Sequence, residues 1–164
     1  MQRKLVQLGS TAGYLGLAWI LASPGIAGAQ PWQPRDAEPP PGLPAAAGLT
    51  GAEAAAMRSL IEAQMTAMRT GDWSRAFALA SPDLQAQYGT ASALGDDVIA
   101  HYAPLPAVAS VGFVDIVMFR GLPTFRVNLV DADGRVTTAY YLVRRLEDGS
   151  LRIAGCVLVR APSS

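Results

Sequence analysis

The chain has 164 residues, 51% of them hydrophobic, and its 13 basic and 13 acidic side chains give a formal net charge of zero. This length suits one ordinary domain, and the balanced charge gives no electrostatic case for a nucleic acid or an anionic membrane as partner. The sequence also has no glycine-rich phosphate loop, zinc-protease helix or serine-nucleophile elbow, so the common nucleotide-binding and hydrolase functions are not indicated.

The first 29 residues have the three parts of a signal peptide. A basic start with Arg3 and Lys4 precedes an apolar run from Tyr14 to Ala22 and the small-residue end Ala27-Gly28-Ala29. The apolar run has about nine residues, whereas about 20 are needed to span a bilayer. We therefore predict secretory export, cleavage after Ala29, a periplasmic or secreted location, and no stable membrane insertion after cleavage.

Residues 30–48 have the composition of a spacer. They contain six prolines and almost no periodic apolar content, which is typical of a flexible or polyproline-like linker. The alternative is a proline-rich ligand for a partner domain. We expect a single domain to cover residues 49–162.

Three helices and a short helical turn are predicted between residues 50 and 101. Thr50 and Glu53 form a capping box, and Asp72 caps a second helix. Ser81-Pro82 starts a short turn, and a further helix runs from about 92 to 101 until two prolines break the pattern. The first helix carries an apolar stripe at intervals of three and four residues: Met57, Leu60, Ile61, Met65 and Met68.

The rest of the chain has the pattern of four β-strands. Runs rich in Val, Phe, Ile and Tyr are divided by turn signals, and the predicted strands span 108–119, 124–131, 135–146 and 151–160. Their short connections favour antiparallel pairing. The predicted fold is therefore α+β, with N-terminal helices packed on one face of a curved four-stranded antiparallel sheet.

Several stretches resemble the small exported bacterial proteins grouped as domain of unknown function 4864. They are Ala80-Ser81-Pro82 with Gln87-Tyr88-Gly89, the turn at 130–134, and above all the run RIAGCVLV at 152–159. The resemblance covers roughly residues 49–162. It implies membership in the nuclear transport factor two-like superfamily, in which a cone of curved sheet is closed by helices. That superfamily contains isomerases, dehydratases, epoxide hydrolases and pure binding modules, so the resemblance implies neither an activity nor catalytic residues.

Asp115 is the acidic residue with the most unusual surroundings. It interrupts Val111, Phe113, Val117 and Phe119 on one side of the first predicted strand. A carboxylate inside an apolar cone could act as a general base. A β-bulge or a twist would instead send it to the surface, and the strand could also be an edge strand that carries an inward charge against edge-to-edge pairing. We prefer this structural interpretation to a general base.

Four more polar side chains are weak candidates for ligand contact: Arg126, Tyr140, Tyr141 and His101. The alternation along a strand does not decide which of the two adjacent tyrosines faces inward. His101 is the only histidine and stands at a predicted helix end, four residues after Asp97. A pair on the helix surface is the simpler interpretation.

The single cysteine is interpreted as structural. Cys156 lies in an apolar strand between Gly155 and Val157, where a thiol acts as a small buried hydrophobe rather than a nucleophile. An unpaired cysteine could also link two chains. One histidine and one cysteine do not make a zinc site without converging carboxylates, and we expect neither a metal nor a cofactor.

Two functional hypotheses follow from these residues. The first is a non-catalytic module that binds a small apolar ligand or a protein partner within its cone. Its walls would come from Phe113, Phe125, Val127, Leu142 and the methionines of the first helix. The alternative is a small isomerase or hydratase that uses Asp115 or His101. A homodimer through the outer face of the sheet is a third, purely structural hypothesis.

Overall fold

Helices precede a four-stranded sheet in the computed structural model, which describes residues 43–160. The helices are α1 (Gly51–Thr70), α2 (Trp73–Ala78), α3 (Pro82–Tyr88) and α4 (Ala91–His101). The strands are β1 (Ser110–Phe119), β2 (Leu122–Val130), β3 (Val136–Arg145) and β4 (Leu151–Arg160), and each pairs antiparallel with the next. The predicted α+β class and strand order are confirmed. The predicted leader and residues 30–42 lie outside the described residues.

Helix α1 begins and ends where its sequence provides the caps. Thr50 Oγ1 accepts a hydrogen bond from the Glu53 N–H at 3.2 Å, and the Glu53 carboxylate accepts one from the Thr50 N–H at 2.9 Å. These two bonds complete the predicted capping box. At the other end, Gly71 has a φ of 71°, a left-handed conformation that favours glycine.

Helices α2 and α4 approach each other closely because Gly95 has no side chain. A Cβ atom at this position would lie 2.8 Å from Cδ2 of Trp73. The Trp73 ring therefore packs directly against the backbone of α4. Asp72 and Thr90 cap the two helices by accepting hydrogen bonds from backbone N–H groups.

The hydrophobic core lies between the helices and one face of the sheet, which we call the inner face. Residues at alternate positions of β2 and β3 point into it, since successive side chains of a strand face opposite sides. The core includes Met57, Ile61, Met65, Leu94, Val98, Phe125, Val127, Leu129, Ala139, Tyr141, Val143 and Ile153.

A β-bulge divides β1 between the two faces of the sheet. Phe113 pairs with Val127 and Asp115 pairs with Arg126, so Val114 is an extra residue in β1. Phe113 faces the helices, whereas residues after the bulge alternate in the opposite sense. Asp115 therefore shares the outer face with Arg126. The placement of Val111, Phe113, Asp115, Val117 and Phe119 on one side is wrong, because it assumed unbroken alternation, and the structure has the β-bulge that the sequence analysis gave as the alternative.

The outer face also receives Leu142, which we expected in the wall of the cone. Leu142 pairs with Thr124, and both lie between inner-face residues of their strands. Tyr141 and Val143 occupy the inner positions on either side of it and are fully buried. Because Tyr141, Leu142 and Val143 are all apolar or aromatic, the sequence did not show which of them face the core.

A short backbone segment extends the sheet beyond β1. Ala46 donates its N–H to the carbonyl of Ile116 at 2.9 Å, and the carbonyl of Pro44 accepts from the N–H of Met118 at 2.9 Å. These residues belong to the predicted spacer, yet they pair because β1 offers unpaired backbone donors and acceptors.

The connection between α2 and α3 forms backbone hydrogen bonds with the edge of β4 in a similar way. The Ser81 N–H donates to the carbonyl of Ile153 at 2.7 Å, and the Ile153 N–H donates to the carbonyl of Leu79 at 2.9 Å. This bridge ties the helical layer to the sheet. It lies beside a second register shift, at which Leu142 pairs with Gly155 and Val143 pairs with Ile153.

Candidate functional site

A groove of about 230 Å³ lies between α1 and the start of β1. Its helix side consists of residues three or four positions apart, which share one side of a helix. Its sheet side consists of inner-face residues that precede the bulge. The lining is Arg58, Glu62, Met65, Thr66, Arg69, Val111 and Phe113.

The exposed Arg58 side chain lies over the apolar wall of this groove. Its Cζ atom lies 4.3 Å from the centroid of the Phe113 ring. Phe113 in turn meets Phe125 edge to face, with centroids 5.0 Å apart and an angle of 77° between the rings. Stacking occupies the face of a guanidinium and leaves its N–H edge for hydrogen bonds. A charged donor edge thus lies beside an apolar surface.

The two arginines of the groove form no ion pair with any residue between 43 and 160. Other arginines of the domain do so, namely Arg126, Arg135, Arg144 and Arg145. With Glu62 included, the groove carries one excess positive charge. Because Arg58 and Arg69 are eleven positions apart on α1, they stand near opposite ends of the groove, about 16 Å apart along the helix axis.

A second depression, of about 430 Å³, lies between α1 and the β3–β4 turn. Its charged groups already satisfy each other, since Nη2 of Arg145 lies 2.6 Å from Oε1 of Glu53. The same glutamate closes the capping box of α1. The α1–β1 groove is therefore the better candidate for an incoming charged ligand.

Asp115 and Arg126 form a two-point ion pair on the outer face. Arg126 Nε donates to Oδ1 of Asp115 at 2.5 Å, and Nη2 donates to Oδ2. The hydrogen bond with Asp115 raises the pKa of Arg126 above its ordinary value. Tyr140 is the cross-strand neighbour of Arg126 on this face. Both carboxylate oxygens are engaged, so this arrangement does not present a free base to the core.

His101 lies at the end of α4 with 71% of its side chain exposed. Its Nδ1 is 2.8 Å from Oδ1 of Asp97, while the Tyr88 hydroxyl donates to Oδ2 of Asp97 at 2.7 Å. Burial, with the Asp97 hydrogen bond second, raises the pKa of Tyr88 well above its ordinary value. Asp97 thus joins an exposed imidazole to a half-buried phenol, and no groove that we describe opens onto the three groups.

Tyr141 points into the core, where it is fully buried. Its hydroxyl makes no hydrogen bond of ordinary geometry with residues 43–160, and the polar group it interacts with is the Cys156 thiol, a weak hydrogen-bonding group. Cys156 is its cross-strand neighbour on β4. Burial raises the pKa of the Cys156 thiol to about 12, as expected for the buried hydrophobe that the sequence predicted. The residue as a whole is only partly buried, so the strongly raised pKa belongs to a sulfur that faces the interior.

The structure brings three of the five sequence-predicted candidates together and leaves the other two apart. Asp115 and Arg126 pair on the outer face beside Tyr140, whereas Tyr141 lies in the core and His101 at a helix end. The sequence analysis named Phe113 and the methionines of the first helix, among them Met65, as cavity walls, but it did not identify the charged groove residues Arg58, Glu62 and Arg69. Their spacing on α1 was visible, but nothing in the sequence placed Phe113 opposite them.

Two further properties concern residues 43–160 alone. No three histidine, cysteine, aspartate or glutamate side chains in this range are grouped so that they could hold a metal ion. No helix in the range combines the length and apolar character that a membrane crossing requires.

Comparison with known proteins identifies a family. The sequence model of a family described as Domain of unknown function (DUF4864) matches residues 50–164. No curated protein and no solved structure matches the chain.

Proposed function

The chain belongs to the DUF4864 family of domains of unknown function, and we propose that it is a non-catalytic module that binds a small organic acid in the α1–β1 groove. The observation that carries this proposal is the pair of groove arginines, Arg58 and Arg69, which form no ion pair with residues 43–160 and lie beside an apolar wall. An organic acid with an apolar body satisfies both features. Its carboxylate replaces the missing ion-pair partner, and its body covers Phe113 and its neighbours.

The size of the groove limits the ligand. Its volume of about 230 Å³ is below the range of about 300–1,000 Å³ typical of sites for drug-sized ligands. We assign the carboxylate to Arg58, because its guanidinium lies 4.3 Å from the centroid of the Phe113 ring, at the apolar wall that would hold the body of the acid. Arg69, at the far end, is then available to a second polar group or attracts the anion at longer range.

Binding of short aliphatic and phenyl-substituted carboxylic acids tests the proposal, with each acid measured beside its amide by calorimetry and thermal shift. The acid is expected to bind at least about tenfold more tightly than its amide, because hydrogen bonds between charged groups contribute about 1.5–3 kcal/mol. Arg58→Gln should remove this preference. Arg75→Gln is the matched control, since Arg75 is exposed on α2 and does not line the groove.

Two results would overturn the proposal. One is equal affinity for acids and amides; the other is an unchanged preference in Arg58→Gln. Any acid that binds should also be tested for turnover by the wild type, Asp115→Asn and His101→Gln. Turnover that either variant abolishes, with binding retained, would establish the alternative of a small isomerase or hydratase.

A further inference from the structure

The α1–β1 groove also contains a carboxylate, and its pairing differs from that of the other glutamate on the same helix. Glu62 lines the groove, is exposed, and forms no ion pair with residues 43–160. Glu53, in contrast, closes the capping box of α1 and lies 2.6 Å from Arg145. The Glu62 carboxylate is therefore available to a cationic group that enters the groove.

The sequence offers Glu62 a local partner that the structure does not use. Arg58 precedes it by four positions, a spacing at which side chains of a helix can meet. With the basic residue first, this order is the less favourable one for a helical ion pair. The Arg58 guanidinium lies instead over the Phe113 ring, with its Cζ atom 4.3 Å from the centroid. The positive charge thus stays at the apolar wall, while the carboxylate lies about one turn further along the helix.

Charges of alternating sign follow one another along the groove. Glu62 lies about 6 Å beyond Arg58 along the axis of α1, and Arg69 lies about 10 Å beyond Glu62. A plain carboxylate bound at Arg58 would stand about one helical turn from the Glu62 carboxylate, and like charges at this separation repel. A cationic group on the same ligand would replace this repulsion by attraction.

An α-amino acid carries the three matching groups on one carbon atom. Its carboxylate suits Arg58, its ammonium suits Glu62, and an apolar side chain suits the ring of Phe113. We propose that the ligand of the α1–β1 groove is an apolar α-amino acid, bound as its zwitterion. This inference rests on the proposed function, because it gives the carboxylate to the same arginine. It adds Glu62 as the residue that selects among organic acids.

The size of the groove favours a single amino acid over a peptide. Its volume of about 230 Å³ is below the range of about 300–1,000 Å³ typical of sites for larger ligands. A peptide would also separate the two charges, because its free ammonium and its free carboxylate lie at opposite ends of the chain. In a free amino acid the two charged groups are attached to the same atom and can meet residues one helical turn apart.

L-Phenylalanine and L-phenyllactate are the pair of probes that tests the role of Glu62. In phenyllactate a hydroxyl replaces the ammonium, and the carboxylate and the ring are the same. Calorimetry at neutral pH should show that the wild type binds phenylalanine at least about threefold more tightly, the effect of one solvent-exposed ion pair. Glu62→Gln should weaken the binding of phenylalanine and strengthen that of phenyllactate, because the variant loses an attraction in the first case and a repulsion in the second.

Glu147→Gln is the matched control. It removes the same charge from an exposed residue of the β3–β4 turn that does not line the groove. Both affinities should stay at their wild-type values in this variant. If Glu147→Gln changes the two affinities as Glu62→Gln does, the effect belongs to the net charge of the protein, and the proposed contact is contradicted.

The two proposals for this groove fail in different ways. If phenyllactate binds no more tightly than its amide, there is no acid site at Arg58 and both proposals are overturned. If phenyllactate binds through Arg58 but phenylalanine binds no more tightly, the acid site stands and the assignment to an amino acid is overturned. A preference for phenylalanine that survives in Glu62→Gln would overturn it as well.

Discussion

At the scale of single residues, the hydroxyl groups of two tyrosines differ in their hydrogen bonding. The Tyr88 hydroxyl donates to Asp97 at 2.7 Å, whereas the buried Tyr141 hydroxyl makes no hydrogen bond of ordinary geometry with residues 43–160 and has only the weakly polar Cys156 thiol beside it. An unsatisfied buried donor costs about 1–3 kcal/mol, while a hydrogen bond to a charged group contributes about 1.5–3 kcal/mol. Removal of the two hydroxyls should therefore have effects of opposite sign.

Tyr141→Phe is expected to leave the free energy of unfolding unchanged or to raise it by up to about 1 kcal/mol. Tyr88→Phe should lower it by about 1–2 kcal/mol, because Asp97 loses a donor. Urea unfolding of the two variants beside the wild type measures both changes. A loss of more than about 1 kcal/mol in Tyr141→Phe would show that its hydroxyl has a partner in solution, such as a buried water.

Cys156 makes the stability of the protein depend on alkaline pH. Burial raises its pKa from 9.0 to about 12. Between these values the folded protein keeps a proton that the unfolded chain has released, so stability is fully present below about pH 9 and falls as the pH rises further. The same burial should make the thiol slow to alkylate at neutral pH in the native state and fast in urea.

The Cys156→Ala variant is the control for this prediction. Its baseline stability should be about 1–2 kcal/mol lower through lost packing. Its alkaline loss should begin near pH 10, where the tyrosines of the unfolded chain start to ionise. Melting curves at closely spaced pH values measure the onset. The same onset in wild type and variant would refute the assignment to Cys156.

At the scale of the elements, the contact between α2 and α4 depends on one missing side chain. Gly95→Ala adds a Cβ that would lie 2.8 Å from the Trp73 ring. Overpacking costs about 1–3 kcal/mol, whereas the gain in helix propensity from glycine to alanine is about 1 kcal/mol. We expect a net loss of about 1 kcal/mol in chemical denaturation. In a Trp73→Leu background the loss should shrink or reverse, and an equal loss there would exclude the ring as its cause.

The limits of the helices and strands were largely predictable because they depend on local chemistry. The Thr50 and Glu53 cap, the Asp72 cap and the glycine turns lie within a few residues of the groups that they satisfy. A β-bulge was one of the two alternatives for Asp115, but the sequence did not choose between them, because one extra residue in an apolar strand does not change its composition. That single insertion decides that Asp115 faces Arg126 rather than the core.

The α1–β1 groove was not predictable for a related reason. Arg58 and Arg69 look like ordinary solvent-facing residues of an amphipathic helix. Their role in a groove depends on Phe113, which lies on an element more than forty positions away along the chain. These residues come together only because α1 packs across β1. The spacing of residues within α1 does not specify how the helix crosses the strand.

At the scale of the whole molecule, the predicted leader gives a testable mass. If export and cleavage after Ala29 occur, the mature protein begins at Gln30, whose amide can cyclise to pyroglutamate. Intact-mass measurement of the soluble exported fraction should match residues 30–164, with or without this cyclisation. A soluble species with the mass of the whole chain would contradict the prediction. An Ala29→Leu variant, with a large residue at the cleavage site, is the control and should accumulate uncleaved.

The pairing of residues 44–46 with β1 also determines where the chain can be cut. The family match begins at residue 50, and a fragment trimmed to that boundary would lack the backbone that occupies the edge at Ile116 and Met118. A bare strand edge is a template on which further chains add. Such a fragment should associate into sheet-rich aggregates as its concentration rises, while a chain that keeps residues 43–49 stays dispersed. The family match begins at residue 50, but protection of the β1 edge against pairing with other molecules requires a fragment that also contains residues 44–46.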